Sequence, residues 1–293
     1  MAAMSARADA PARTGEVRLL DGRLLGWAEW GPADGTPVLL CPGAATSRRL
    51  GCDTEAVEAL GIRLVSVDRP GLGVSTPAPG RTFADFADDI RYFAVQRGLE
   101  RPATVGNSQG APFALACAAE EVTGALAIVS AADEIAAPEF ADALPAELRG
   151  LVDTAVSAPD RAEKIFAGFT AEAMRDMVMG GSAQSDLAVY EDPAFAAAYR
   201  QALDEGFAQG PAGYARDTVL AMGRWAFDPA KIAVPVDIWY GEDDTSHSPD
   251  NGATLATRIP GSVRHVVQGI GGAVLWTHTE SILRTLLERE ERR

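Results

Sequence analysis

Five residues, Gly106-Asn107-Ser108-Gln109-Gly110, place a serine between two glycines in a G-x-S-x-G pattern. A short apolar run at 103–105 precedes them and a helix-forming stretch at 111–121 follows. A serine on a strand-to-helix turn this tight is held in a strained backbone conformation. Glycines flank it because side chains there would clash, and its hydroxyl projects at the N-terminus of a helix. That placement suits a nucleophile. The alternative is a glycine-rich turn with an incidental serine, and the flanking strand and helix weigh against it.

The elements that must position such a turn can be read along the chain. Two strand-like runs, 17–20 and 23–30, flank the turn signal Asp21-Gly22 and predict a hairpin. Short apolar runs at 37–41, 63–67, 103–105 and 125–129 then alternate with helical stretches at 53–60, 83–98 and 111–121. That alternation predicts parallel strands joined by crossover helices. Strand signals vanish between about 132 and 227, where segments rich in Ala, Met, Phe and Leu follow one another between turns such as Gly180-Gly181 and Gly210-Pro211. Strands resume at 236–240 and 263–267, and a charged amphipathic helix over 277–290 closes the chain. The expected architecture is α/β: a discontinuous core of residues 15–132 and 227–293, a helical cap at 133–226, and a disordered tail at 1–14.

Composition narrows the function classes. A 47% hydrophobic and 23% charged content is that of a soluble globular protein, and no apolar run approaches the ~18 residues that cross a bilayer. A formal charge of −15, with only two lysines, Lys164 and Lys231, would repel a phosphate backbone. Neither nucleic acid nor membrane is an expected partner. Cys41, Cys52 and Cys117 cannot pair completely and lack metal-ligand spacing, and residues 1–14 lack the apolar segment of a secretory signal. The expectation is a cytoplasmic protein with reduced thiols and no bound metal; the oligomeric state does not follow from the sequence.

From about residue 16 to 290 the chain resembles the α/β-hydrolase superfamily, in the capped branch that includes esterases, haloperoxidase-like enzymes and epoxide hydrolases. Beyond the serine turn, three segments carry the likeness. Pro42-Gly43-Ala44-Ala45-Thr46-Ser47-Arg48 stands where the family has a His-Gly turn that supplies an oxyanion-hole amide, here the N–H of Ala44. Val67-Asp68-Arg69-Pro70-Gly71-Leu72-Gly73-Val74-Ser75 resembles the family's loop after the fourth strand. Tyr240-Gly241-Glu242-Asp243-Asp244 resembles the strand end that bears the catalytic acid, and the family's Gly-x-x-Asp spacing selects Asp244 over Asp243. Attack on a carbonyl drives negative charge onto its oxygen, and the amides of Ala44 and Gln109 are the expected pair to receive it.

The family pattern breaks at the base. Its histidine follows the last strand in a Gly-His step, and the matching pair here is Gly271-Gly272. Glycine accepts no proton, and loss of the base costs on the order of 10⁴ to 10⁶ in turnover. Three histidines are available. His265 lies within the last strand, short of the C-terminal ends where active sites of open parallel sheets form. His278 lies at the start of the final helix, where a surface position is expected. His247 follows Asp244 by three residues in a polar loop, Thr245-Ser246-His247-Ser248-Pro249, expected to border the pocket. The base is therefore His247 or absent.

Three functions fit these residues. The first is a serine hydrolase of a small apolar ester, lactone or thioester, with Ser108 as nucleophile, His247 as base and Asp244 as its orienting acid. The second is an enzyme of cyclisation, elimination or rearrangement that uses the oxyanion hole on a carbonyl-containing metabolite without a base. The third is an inactive small-molecule binder. No cofactor is expected, since no phosphate loop, metal cluster or dinucleotide fingerprint occurs.

Overall fold

The computed structural model describes residues 9–292. Strands β1 (Arg13–Arg18) and β2 (Leu24–Trp30) form an antiparallel hairpin in which Val17 opposes Leu25. Gly22 takes the left-handed conformation, φ 89°, at its turn. The chain continues through β3 (Thr36–Cys41), α1 (Thr54–Ala59), β4 (Ile62–Val67), α2 (Phe83–Arg97), β5 (Ala103–Asn107), α3 (Ala111–Ala119) and β6 (Leu126–Val129). Six helices without a strand follow: α4 (Ala146–Ser157), α5 (Pro159–Phe166), α6 (Ala171–Gly181), α7 (Gln184–Tyr190), α8 (Pro193–Gly206) and α9 (Ala212–Met222). The rest comprises β7 (Val236–Gly241), α10 (Ala253–Arg258), β8 (Val263–Val267), α11 (Val274–Thr277) and α12 (Thr279–Glu291).

All eight strands form one sheet in the order β1-β2-β4-β3-β5-β6-β7-β8. β2 runs antiparallel to β4, and every pair from β4 to β8 is parallel. The interior strands β5 and β6 are buried along their whole length, which is why they read as continuous apolar runs, whereas β8 at the edge is partly exposed. Alternate side chains leave the sheet on opposite faces. Val38 and Leu40 pack with Val57 of α1 and with Ile282, Leu283 and Leu286 of α12. Leu39 and Cys41 pack with Phe86 and Phe93 of α2, Phe113 of α3 and Leu255 of α10. The two cores thus sandwich the sheet between helices, the α/β architecture expected from the alternation. Helix α2 begins at a capping box, Thr82 with Asp85, and stops at Gly98 in the left-handed conformation, φ 65°.

Several boundaries differ from the sequence reading. β1 begins at Arg13 and Trp30 Nε1 donates to the Asp9 carbonyl, so the described part of the expected tail is tied to the sheet; residues 1–8 of that tail lie outside the described residues. The closing helix expected over 277–290 runs over Thr279–Glu291 and is preceded by the one-turn α11, with His278 (φ −128°) between the two and the Thr279 hydroxyl donating back to the Leu275 carbonyl. Helix α10 is an addition to the expected elements: Leu255 is the one buried residue of its six, so no apolar stripe marks it. All three cysteines are free and buried, and burial pushes the Cys41 and Cys52 thiols up to about 12. Among the described residues no helix is long and apolar enough to cross a membrane.

Candidate active site

Ser108 stands between β5 and α3 with φ 49°, a left-handed conformation that strains a residue bearing a Cβ. Both flanking glycines are forced by contact. A Cβ at Gly106 would lie 2.7 Å from the Ala114 Cβ, and one at Gly110 would lie 2.1 Å from the Cys41 carbonyl oxygen. The turn can tighten only because neither side chain exists. Gly110→Ala is accordingly expected to destabilise the fold by about 1–3 kcal/mol or more, read as a lowered urea midpoint with an unchanged slope; a midpoint equal to that of the parent would show that the turn has slack.

The segment after β3 lies against this turn. A Cβ at Gly43 would be 3.4 Å from Asn107 Oδ1 and 3.5 Å from the Ser108 Cβ. Its peptide groups are oriented from behind by Arg69, a fully buried guanidinium that donates to the Pro42 carbonyl and, at 2.9 Å, to the Gly43 carbonyl. In a trans peptide the C=O and the next N–H point in opposite directions, so fixing the Gly43 oxygen turns the Ala44 N–H away from Arg69. Ala44, Ser108 and Gln109 line one cavity, and neither the Ala44 nor the Gln109 N–H bonds to another loop, turn or side chain among the described residues. Arg69 in turn bonds Asp217 of α9 at 2.7 Å, Arg81 holds the same carboxylate, and the Gln109 side chain reaches Thr218 at 3.0 Å. The turn after β3 and the serine turn are both fastened to α9.

On the other side of Ser108 stands the loop after β7. His247 Nε2 is 3.1 Å from Ser108 Oγ, and His247 Nδ1 is 3.0 and 2.9 Å from the two oxygens of Asp244. Asp244 is buried and also accepts from the backbone N–H groups of Ser246 and His247. The loop curls round its own carboxylate, so an acid and an imidazole three residues apart become bonded partners. Asp133 secures the far side: its N–H donates to the His247 carbonyl and its carboxylate accepts from the Ser248 hydroxyl at 2.9 Å.

Gly272 lies beside this imidazole. A Cβ at Gly272 would fall 2.7 Å from His247 Cε1 and 3.1 Å from Nδ1. His247 occupies the space that a side chain at 272 would need. Of the other residues considered, Asp243 is exposed and offers only its N–H, to the Ile270 carbonyl. His265 stacks on Trp239 at 4.0 Å and pairs with Asp237 at 2.7 Å. His278 lies beside Thr277, partly buried rather than at the surface. Neither histidine reaches Ser108.

Electrostatics favour a responsive imidazole. Burial opposes the charged form of His247, but the Asp244 carboxylate, by charge and hydrogen bond, and then the Asp186 charge outweigh it and lift the pKa above the ordinary 6.5. Burial likewise opposes ionisation of Asp244, yet His247 and the loop amides bring it below the ordinary 3.8. Burial pushes the Asp133 carboxyl up to about 6, against hydrogen bonds from Ser248 and the Glu134 amide.

The cavity beside Ser108 measures about 790 Å³. Leu148, Phe166, Met174 and Met177 of α4, α5 and α6, with Phe169 from the turn between α5 and α6, give it an apolar wall, and Tyr190, Tyr199 and Tyr214 add aromatic faces. Asp133, Asp186 and His247 are the carboxylate and imidazole groups of the lining, and no lysine or arginine stands among the described lining residues. Sequence reasoning missed Arg69, Asp133 and Asp186. Arg69 stands in a quoted motif and could have been flagged, whereas the two aspartates carry no local signal.

A family model described as alpha/beta hydrolase fold matches residues 36–279. No curated protein sequence matches the chain. Among solved structures, a bromoperoxidase from Bacillus anthracis aligns with TM-score 0.71 at 18% identity, over 94% of this chain and 100% of that one. An enol-lactonase from Burkholderia xenovorans LB400 aligns with TM-score 0.67 at 18% identity, over 94% and 99%. A thermophilic esterase from Thermogutta terrifontis aligns with TM-score 0.68 at 21% identity, over 96% and 99%. At these identities the likeness is one of fold. The family match runs from the first parallel strand past the last, and the chain therefore belongs to the alpha/beta hydrolase fold family.

Proposed function

We propose that this enzyme of the hydrolase superfamily cleaves an apolar carboxylic ester, lactone or thioester through Ser108. His247 is the general base, Asp244 orients it, and the Ala44 and Gln109 amides receive the oxyanion. Residues 133–226 form the cap that roofs the cavity. The observation that carries this reading is the unbroken chain from Ser108 Oγ to His247 Nε2 at 3.1 Å and from Nδ1 to Asp244 at 2.9 Å.

In the first half-reaction Ser108 Oγ attacks the carbonyl carbon as its proton passes to His247 Nε2. Charge on the carbonyl oxygen falls to the two amides, which need no reorganisation to receive it. The tetrahedral species collapses, the C–O or C–S bond breaks, and the imidazolium returns its proton to the leaving group. Water then attacks the acyl-serine, with His247 again taking and returning one proton. The readings that dispense with a base, a non-hydrolytic enzyme and a pure binder, have no observation in their favour once an imidazole lies within reach of Ser108.

A fluorophosphonate that reacts with activated serines tests the nucleophile: the adduct is expected on Ser108 by mass spectrometry, and an unlabelled Ser108 would remove the serine mechanism. The pH profile tests the base. Neutral His247 is the active form and its pKa is raised, so kcat/KM for a p-nitrophenyl ester is expected to rise with pH through a value above 6.5. A rate flat across that range would set His247 aside.

A further inference from the structure

Gly271, Gly272 and Ala273 present three consecutive backbone N–H groups to one carboxylate. They donate to Asp186 at 3.0, 2.8 and 3.1 Å. Asp186 belongs to α7, more than eighty residues away in the chain, and is 1% exposed. No lysine or arginine pairs with it among the described residues. A buried carboxylate is unfavourable unless its charge is met, and here three converging amide dipoles meet it.

The glycine pair explains why this carboxylate concerns the site. A Cβ at Gly271 would lie 2.4 Å from Asp186 Oδ2, while one at Gly272 would lie 2.7 Å from His247 Cε1. Each glycine leaves room for one side chain, Gly271 for Asp186 and Gly272 for His247, and both of those side chains line the cavity beside Ser108. We propose that Asp186 is a positioning residue of the candidate site: it holds residues 271–273 clear of the imidazole, and its charge, fixed beside the same cavity, stabilises the imidazolium formed when His247 takes the Ser108 proton. The inference rests on the triad reading above and adds a second carboxylate to it. Asp244 orients the ring by contact. Asp186 adds charge without touching it, and the amides that hold it keep that charge in place.

The test compares Asp186→Asn with the parent enzyme in p-nitrophenyl butyrate hydrolysis from about pH 5 to about pH 9. Removing the charge lowers the imidazole pKa. The rising limb of kcat/KM is therefore expected to move to lower pH by about half a unit to one unit, and the plateau to fall about 3- to 30-fold. A purely structural tether would lower the plateau or the melting temperature and leave the limb in place, and that result overturns the proposal. If Asp186→Asn does not fold, Asp186→Glu and Asp186→Gln, equal in length and different in charge, make the same comparison. Failure of every neutral variant to fold would make Asp186 a residue of stability alone and also overturn it. Ser108 labelling and the parent profile keep the two readings apart: a parent with no rising limb defeats the triad, whereas a normal parent with an unmoved Asp186→Asn limb defeats only the role of Asp186.

Discussion

His247→Ala is expected to lower kcat for an activated ester by about 10⁴-fold or more, with Ser108 still in place and the fold intact. The imidazole links Ser108 at 3.1 Å to Asp244 at 2.9 Å, and no other histidine approaches either. Ser108→Ala is expected to lose as much. Because nucleophile and base act as one unit, the double variant should lose little more than either single variant. Additive losses would mean that the two side chains serve different steps. Thermal unfolding is read separately from rate: without His247 the buried Asp244 keeps only its loop amides, so a lowered melting temperature is expected beside the loss of activity. A His247→Ala enzyme that keeps its rate would refute the proposed base.

The second large effect concerns Gly272. The sequence resemblance sets the family's histidine at this position, and on that expectation alone Gly272→His would gain activity. The structure reverses the expectation for the otherwise unaltered chain, because a Cβ at 272 falls 2.7 Å from His247 Cε1. Gly272→His is expected to push the native imidazole out of line and to lower kcat/KM by about 10- to 100-fold. In a His247→Ala background the obstruction is gone. The same Cβ lies 3.7 Å from Asp244 Oδ2, so a ring carried at 272 has its acid nearby. Gly272→His is then expected to recover at least about tenfold over His247→Ala alone. If the single variant gains activity, or the double variant recovers none, the two positions do not share one site.

Much of this arrangement is legible locally. The serine turn declares itself through Gly106 and Gly110, each excluded from bearing a side chain by atoms within a few residues of the turn or by the neighbouring strand β3. The parallel sheet is legible because its interior strands are buried on both faces and read as unbroken apolar runs. His247 is legible only in part. Its distance in sequence from Asp244 makes a bonded pair possible, but whether the loop folds inward depends on Asp133 and Ser248, which act from outside that spacing. Asp186 is not legible at all, because its partners are backbone amides on a distant turn and amides leave no mark in a sequence. The short helices α10 and α11 are lost for a different reason: one buried side chain in six residues, or four residues in all, leaves no apolar period to detect.

The doubly held Asp217 has a consequence for traffic through the cavity. Arg69 and Arg81 both grip this buried carboxylate, Arg216 of the same helix donates to the Arg81 carbonyl, and Thr218 holds Gln109. Lifting α9 would strand buried guanidinium groups without their counter-charge, which is strongly unfavourable. That wall behaves as the jamb of a doorway. Ile165 and Met177 face the cavity yet are 44% and 49% exposed, and they sit on α5 and α6. They mark the rim at which the cavity meets solvent, opposite the fixed frame of α9.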